Sequence, residues 1–113
     1  MARGAYLAIR PIVRTESEVV IAVSGELDMS TIDALVAEVD AQLQPPIQSL
    51  TLDLQELTFM DSTGLRLLIE LNDRAQQGAW RLRLIRPRHD AASRVLQITG
   101  ADAALPFERE DSP

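Results

Sequence analysis

The sequence predicts an α/β domain with the element order β-β-α-β-α-β-α and a mixed sheet with a parallel core. Apolar residues recur at helical spacing in three segments, and short strand-like segments separate them. Strands that alternate with helices imply right-handed crossovers and parallel pairing, whereas two consecutive strands at the start pair as a hairpin. Two strands alternate cleanly between apolar and polar residues, so we expect the helices to cover mainly one face of the sheet.

The predicted hairpin opens the chain. Its first strand covers about Tyr6–Val13, and Pro11 places this strand at an edge or at a bulge, because proline donates no bond to a sheet ladder. The polar segment Thr15–Glu18 is typical of a turn. The β-branched segment Val19–Val23 is typical of a buried strand, which we expect Gly25 to end.

The first helix follows, with Asp28 or Ser30 as its expected N-cap. Asp33 lies three residues after Ser30, which approximates a capping box. Pro45-Pro46 is expected to end the helix. Its apolar positions have helical spacing: Ile32, Leu35, Val36, Val39 and Leu43.

Two more strand and helix pairs complete the chain. In the third strand Leu50, Leu52 and Leu54 alternate with Ser49, Thr51 and Asp53, and a loop is expected before Ser62. A helix then covers Thr63 to about Gln77, with Gly78 at its C-terminal end. Trp80, Leu82 and Leu84 alternate with Arg81 and Arg83 in the fourth strand. The last helix starts at Pro87 and precedes Gly100, and residues 105–107 are expected to add a short strand. One face of this last helix holds Ala92, Val95, Leu96 and Thr99.

Composition limits the classes of function. The 113 residues suit one domain, residues 1–113, with a core at about 5–107 and a frayed polar tail at 108–113. Without cysteine, the chain has no disulfide, thiolate metal site or cysteine nucleophile. A net charge of −6 disfavours direct binding to nucleic acid or to an anionic membrane. We see no signal peptide and no apolar segment that spans a bilayer, so we expect a cytoplasmic protein.

One segment, Asp61-Ser62-Thr63-Gly64-Leu65, stands at the start of the second predicted helix. Ser62 can be a plain N-cap, so that Ser62→Ala would cost about 1 kcal/mol of stability. Asp61 would then favour the helix dipole, and Gly64 would allow close approach in the first turn. The same position holds an exposed hydroxyl that a kinase could phosphorylate, which would lower the local charge by roughly 1.5 to 2 units. Such a change would spare the fold and disrupt a binding surface.

The helix after Ser62 has a wide apolar arc, formed by Leu65, Leu67, Leu68, Ile69, Leu71 and Ala75. A helix that lies on one sheet needs a narrower stripe. Two explanations are open for the additional apolar residues. Either neighbouring helices cover them, or one edge of the arc, near Leu67 and Leu71 or near Leu65, contacts another protein.

Two segments stand out together: Gly25-Glu26-Leu27-Asp28 and Leu57-Thr58-Phe59-Met60-Asp61-Ser62-Thr63-Gly64-Leu65. With them, the chain resembles the STAS domain of bacterial anti-sigma factor antagonists over about Ala5 to Phe107. The resemblance implies a partner that is an anti-sigma factor with serine-kinase activity. The unphosphorylated antagonist would bind it and release a sigma factor, phosphorylation of Ser62 would end the binding, and a serine phosphatase would restore it.

The resemblance also implies the residues of the site, with Asp28 close to Ser62. No cofactor is expected in this chain, since ATP and magnesium would belong to the partner kinase. Many relatives have glycine where this chain has Arg66, whose side chain could pair with an acidic partner or with a phosphate on Ser62. Thr63 offers a second hydroxyl, but the match favours Ser62. The partner-binding residues are then Asp28, Asp61, Ser62, Thr63, Gly64, Leu65 and Arg66.

Other functions are disfavoured. A nucleophilic serine needs a nearby base, and the only histidine, His89, stands at the start of the last predicted helix. Asp28, Asp53 and Asp61 could hold magnesium, but we interpret them as solvated or capping carboxylates. The remaining alternative is a non-phosphorylated STAS scaffold or sensor component of a bacterial signalling complex, in which Ser62 is only a cap.

Overall fold

The computed structural model describes residues 6–44 and 46–108. The element order predicted from the sequence is confirmed, and a short fourth helix is added to it. Pro45 and the tail from residue 109 onward lie outside the described residues. The elements are β1 (Leu7–Arg14), β2 (Glu18–Leu27), α1 (Ile32–Gln42), β3 (Ser49–Met60), α2 (Ser62–Gly78), β4 (Arg81–Ile85), α3 (Asp90–Thr99) and α4 (Ala101–Ala104).

The strands form a mixed sheet in the order β1-β2-β3-β4. β1 is antiparallel to β2, whereas β2 and β3, and likewise β3 and β4, are parallel. The predicted mixed sheet with a parallel core is therefore confirmed. Because parallel strands end at the same edge of a sheet, the segments that follow β2 and β3 become neighbours.

One face of the sheet is apolar and carries the core. The paired rows Val19–Leu50–Leu82 and Ile21–Leu52–Leu84 are buried throughout. The row Glu18–Ser49–Arg81 lies on the other face and contains no fully buried residue. Side chains of the first three helices join the same hydrophobic cluster, including Leu35, Val39, Leu68 and Leu96. This arrangement confirms that the helices cover mainly one face.

The behaviour of Pro11 in β1 is also confirmed. β1 lies at one edge of the sheet, and its register against β2 shifts between Pro11 and Val13. A proline without an N–H group is tolerated in such an irregular edge position.

Two predicted strand ends were wrong. β2 continues through Gly25 to Leu27, and β3 continues to Met60, where the sequence predicts a loop. Gly25 has φ +102°, and a side chain there would collide with the Tyr6 carbonyl oxygen. The register of β2 against β3 shifts directly after Gly25. This glycine therefore forms an irregularity within the strand, and β2 and β3 end side by side at the Leu27–Met60 pair.

The C-terminal part of the chain differs in detail from the prediction. α3 begins at Asp90 and not at Pro87, since His89, its N-cap, still has an extended backbone with φ −94° and ψ 135°. Gly100 ends α3 in the left-handed conformation, as its position predicts. The expected terminal strand is a single parallel bridge between Phe107 and Leu84. Glu108 was expected to be frayed, but its N–H donates to the Leu84 carbonyl at 2.8 Å.

Candidate functional site

The two sequence motifs meet at the edge of the sheet where β2 and β3 end. Leu27 and Met60 are paired across the strands, and the Asp61 N–H donates to the Leu27 carbonyl oxygen at 3.3 Å. Asp28 and Asp61 line one open depression of about 370 Å³, together with Met29 and Ser30. The structure therefore brings Asp28 to the edge at which Ser62 begins α2.

Asp61 is the N-cap of α2. Its Oδ1 accepts bonds from the backbone N–H groups of Thr63 at 2.9 Å and of Gly64 at 3.3 Å. The interpretation of Ser62 as the N-cap was wrong, because Asp61 keeps an extended backbone (φ −107°, ψ −169°) and Ser62 is already the first helical residue. Aspartate is as good a cap as serine and also favours the positive end of the helix dipole.

The Ser62 hydroxyl is consequently not needed to cap the helix. The side chain is exposed, and the hydroxyl makes no hydrogen bond within residues 6–44 and 46–108. Its backbone is nevertheless held in the first turn of a 17-residue helix. An accessible hydroxyl on a fixed backbone suits modification by another protein.

Asp28 has a different structural role from the one predicted. Its Oδ1 accepts bonds from the N–H and the hydroxyl of Ser30, at 2.9 and 2.7 Å. The N-cap of α1 is Thr31, so neither Asp28 nor Ser30 caps this helix and Asp33 completes no capping box. The Thr31 hydroxyl instead donates to the Glu26 carbonyl at 2.8 Å, which joins the end of β2 to the start of the helix.

The hydrogen bonds to Asp28 also stabilise its charged form. The Ser30 hydroxyl, together with the N–H groups of Ser30 and Thr31, lowers the pKa of Asp28 below its ordinary value of 3.8, although partial desolvation acts in the opposite sense. Asp28 is therefore anionic at neutral pH. An anionic Asp28 and the capping carboxylate of Asp61 face the same depression.

Gly64 and Leu65 lie beneath the surface. A Cβ added to Gly64 would come within 2.6 Å of Met60 Cγ and 3.0 Å of Leu27 Cδ2, both in buried side chains. Leu65 is also buried, whereas Thr63 is half-buried and Arg66 is exposed. Among the predicted partner-binding residues, Ser62 and Arg66 thus offer the most accessible side chains of α2.

The wide apolar arc of α2 is covered by the protein itself. Leu65, Leu67 and Leu71 are buried, and α2 packs on β3, β4 and α3. These leucines are therefore covered by this chain, and contact of another protein with an edge of the arc near them stays a prediction. The exposed apolar member of the arc is Ile69, whose side chain is 44% exposed.

Sequence reasoning missed an exposed methionine at the site. Met29 is 77% exposed and lines the same depression as Asp28 and Asp61. An apolar residue inside an otherwise polar loop, Asp28-Met29-Ser30-Thr31, was the available signal. Methionine is adaptable and is frequent at protein-binding surfaces.

The comparisons with known proteins agree with this architecture. A family model described as "Mlab, STAS domain" matches residues 12–106. The chain belongs to the STAS-domain family. No curated protein gave a significant match to this STAS domain.

Solved structures of anti-sigma factor antagonists are similar to this STAS domain. An antagonist from Mycobacterium paratuberculosis is 24% identical, with a TM-score of 0.78 over 94% of this chain and 88% of that one. The antagonist SpoIIAA in its unphosphorylated form is 25% identical, with a TM-score of 0.72 over 92% and 90%. The Bacillus cell fate determinant SpoIIAA in its phosphorylated form is 25% identical, with a TM-score of 0.66 over 92% and 94%.

Two of the residues weighed for enzymatic or metal chemistry, His89 and Asp53, contact other side chains of this STAS domain. His89 Nε2 lies 3.8 Å from Glu56 Oε1, and Asp53 accepts bonds from Gln55. Within the described ranges, no three His, Cys, Asp or Glu side chains are grouped to hold a metal ion. No helix in this part of the chain has the length and hydropathy required to cross a membrane.

Proposed function

We propose that this STAS domain is an anti-sigma factor antagonist that is switched off by phosphorylation of Ser62. Its unphosphorylated form binds an anti-sigma factor with serine-kinase activity and so releases a sigma factor. A serine phosphatase restores the binding form. The chain acts in the cytoplasm without a cofactor of its own, and ATP and magnesium belong to the kinase.

The free hydroxyl of Ser62 is the observation that carries this proposal. Asp61 performs the capping, so a phosphate on Ser62 would leave the bonds to Thr63 and Gly64 in place. The phosphate would add about 1.5 to 2 negative charges beside the carboxylates of Asp28 and Asp61. The helix would tolerate it, since anions are favoured at a helix N-terminus. A partner surface that fits the unmodified edge would be repelled.

The relatives support the same mode of action. SpoIIAA is an anti-sigma factor antagonist with solved structures in unphosphorylated and phosphorylated forms, and this chain is similar to both over most of their length. We place the partner-binding surface at Asp28, Asp61, Ser62, Thr63 and Arg66, with Gly64 and Leu65 supporting it from beneath. Exposed Met29 and Ile69 extend this surface with apolar area.

Incubation with the cognate anti-sigma kinase and ATP, followed by peptide mass spectrometry, tests the proposal. We expect one phosphate on Ser62, none on the Ser62→Ala variant, and normal modification of Thr63→Ala as the matched control. Ser62→Ala should bind the anti-sigma factor constitutively in calorimetry, whereas Ser62→Asp should bind roughly tenfold more weakly. Absence of phosphate on Ser62 would contradict the switch.

A STAS scaffold without phosphorylation is the second candidate. The matching family model is described as Mlab and not as an antagonist, which favours keeping this alternative. If the chain is such a scaffold, wild type and Ser62→Asp should bind the partner with the same affinity. The kinase and calorimetry experiments separate the two candidates.

A further inference from the structure

We propose that Arg66 is the internal counter-ion of a phosphate on Ser62, so that phosphorylation withdraws a cation from the binding surface while adding an anion. This inference rests on the proposed function, because it concerns the phosphorylated state of the same site. The group that pairs with the phosphate is then a residue of this chain and not of the partner.

Helix geometry places the two side chains together. Ser62 is the first residue of α2, and Arg66 follows four residues later. Residues at this spacing are neighbours on a helix surface, and an anion that precedes a cation is the favourable orientation. Helical side chains also lean toward the N-terminus, so an arginine at position 66 can reach a phosphate on Ser62.

Arg66 is available for this role. It is exposed, and it makes no hydrogen bond or ion pair with any residue in 6–44 or 46–108, including Glu70 one turn further along. The next arginine of α2, by contrast, is engaged, since Arg74 Nη1 lies 3.0 Å from Asp40 Oδ1. From Thr15 to Asp73, Arg66 is the only basic residue in the sequence.

The acidic surroundings of Ser62 would favour such a cation beside a phosphate. Asp28 and Asp61 already face the adjoining depression, and hydrogen bonds stabilise the charged form of Asp28. A phosphate would be a third anionic group at this edge. A guanidinium can meet it with two parallel N–H bonds, which a point charge cannot do.

The pairing would change two features of one surface together. Without phosphate, the Arg66 guanidinium projects freely and can meet an acidic group of the anti-sigma factor. With phosphate, the same guanidinium is held against Ser62 and is lost to the partner. The phosphorylated surface therefore differs from the unmodified one by more than the charge of the phosphate.

The test uses the full chain with phosphoserine installed at position 62 during translation. The ³¹P resonance is titrated to give the second pKa of the phosphate, ordinarily near 6. We expect Arg66→Gln to raise this pKa by about 0.3 to 0.7 units, because the dianion loses its partner. Arg94→Gln is the matched control, since Arg94 is an exposed arginine of α3 with no described ion pair, and should leave the pKa unchanged.

A second readout separates contact from distant charge. The Arg66 Nε–H resonance should move downfield in the phosphorylated chain and follow the phosphate titration. Equal phosphate pKa values in Arg66→Gln and Arg94→Gln, or an Nε–H resonance indifferent to the titration, would overturn the inference. No kinase or partner is present, so this result is independent of whether the anti-sigma factor phosphorylates or binds the chain.

Discussion

Two junctions between a strand and a helix lie side by side at one edge of the sheet. Each has an aspartate and a serine nearby: Asp28 and Ser30 lie between β2 and α1, whereas Asp61 lies between β3 and α2 and Ser62 is the first residue of α2. In the first junction, the Ser30 hydroxyl donates to Asp28 Oδ1 at 2.7 Å. In the second, the Ser62 hydroxyl is exposed and has no partner within the part of the chain that the structure describes.

The length of the junction explains this difference. Residues 28–31 separate β2 from α1, which leaves room for Asp28 to close a turn and for Thr31 to become the cap. Asp61 alone separates β3 from α2, so it must itself be the cap, and Ser62 falls inside the helix. Whether the serine hydroxyl is free therefore depends more on the position of the serine relative to the N-cap of the helix than on the presence of a nearby aspartate.

Substitution of Gly64, at the junction of β3 and α2, should lower the free energy of unfolding more than the other changes considered below. Gly64→Ala would force a carbon against Met60 and Leu27 and should lower the free energy of unfolding by about 2 kcal/mol in urea denaturation. Gly100→Ala is the control, because no atom lies within 4 Å of its added carbon and only the strain of φ +78° remains, about 1 kcal/mol. Equal losses in the two variants would show that the β3–α2 junction is not tightly packed.

Removal of the cap should have the next largest effect. Asp61→Ala leaves the N–H groups of Thr63 and Gly64 without an acceptor and should cost about 1 to 2 kcal/mol of unfolding free energy. The exposed Asp73 of the same helix has no described hydrogen bond, so Asp73→Ala should change stability by less than about 0.5 kcal/mol. A loss no greater than that of the control would reject Asp61 as the cap.

The two serines provide the most direct comparison. Ser30→Ala removes a donor to the Asp28 carboxylate and should cost about 1 kcal/mol in thermal or chemical unfolding. Ser62→Ala removes no described bond and should cost less than about 0.5 kcal/mol, in place of the capping loss predicted from the sequence. If Ser62→Ala destabilised the fold as much as Ser30→Ala, the Ser62 hydroxyl would have a structural partner.

The smallest effect is a dependence on pH. The folded-state pKa of Asp28 is lowered, so its stabilisation is complete above its ordinary value of 3.8 and is lost as the pH falls through the folded-state value. The difference in unfolding free energy between wild type and Asp28→Asn should therefore shrink as the pH is lowered from about 6 to about 2.5. Asp73→Asn serves as the control. A difference that stays constant with pH would contradict the role of the Ser30 bonds.

Patterns within single segments predicted the fold well. The alternation of Leu50, Leu52 and Leu54 identified β3 and its buried face, because side chains of a strand point alternately to its two sides. Pro11 identified an irregular edge strand, because proline has no backbone N–H to donate to a neighbouring strand. Gly25 was misinterpreted as a strand end, because glycine is also tolerated inside a bulge and the sequence does not separate the two cases.

The sequence by itself determined the element order, the parallel core and the apolar face, since these follow from periodicity along the chain. Its two motifs also predicted a site at Asp28 and Ser62, and the structure brings these motifs together at one edge of the sheet. Only the tertiary structure decided that Asp61 caps α2 and that the Ser62 hydroxyl is free, because β3 reaches Met60 alongside β2 and leaves one residue before the helix. Capping depends on where neighbouring backbone lies, as shown by the Asp61 N–H that bonds the Leu27 carbonyl of the adjacent strand.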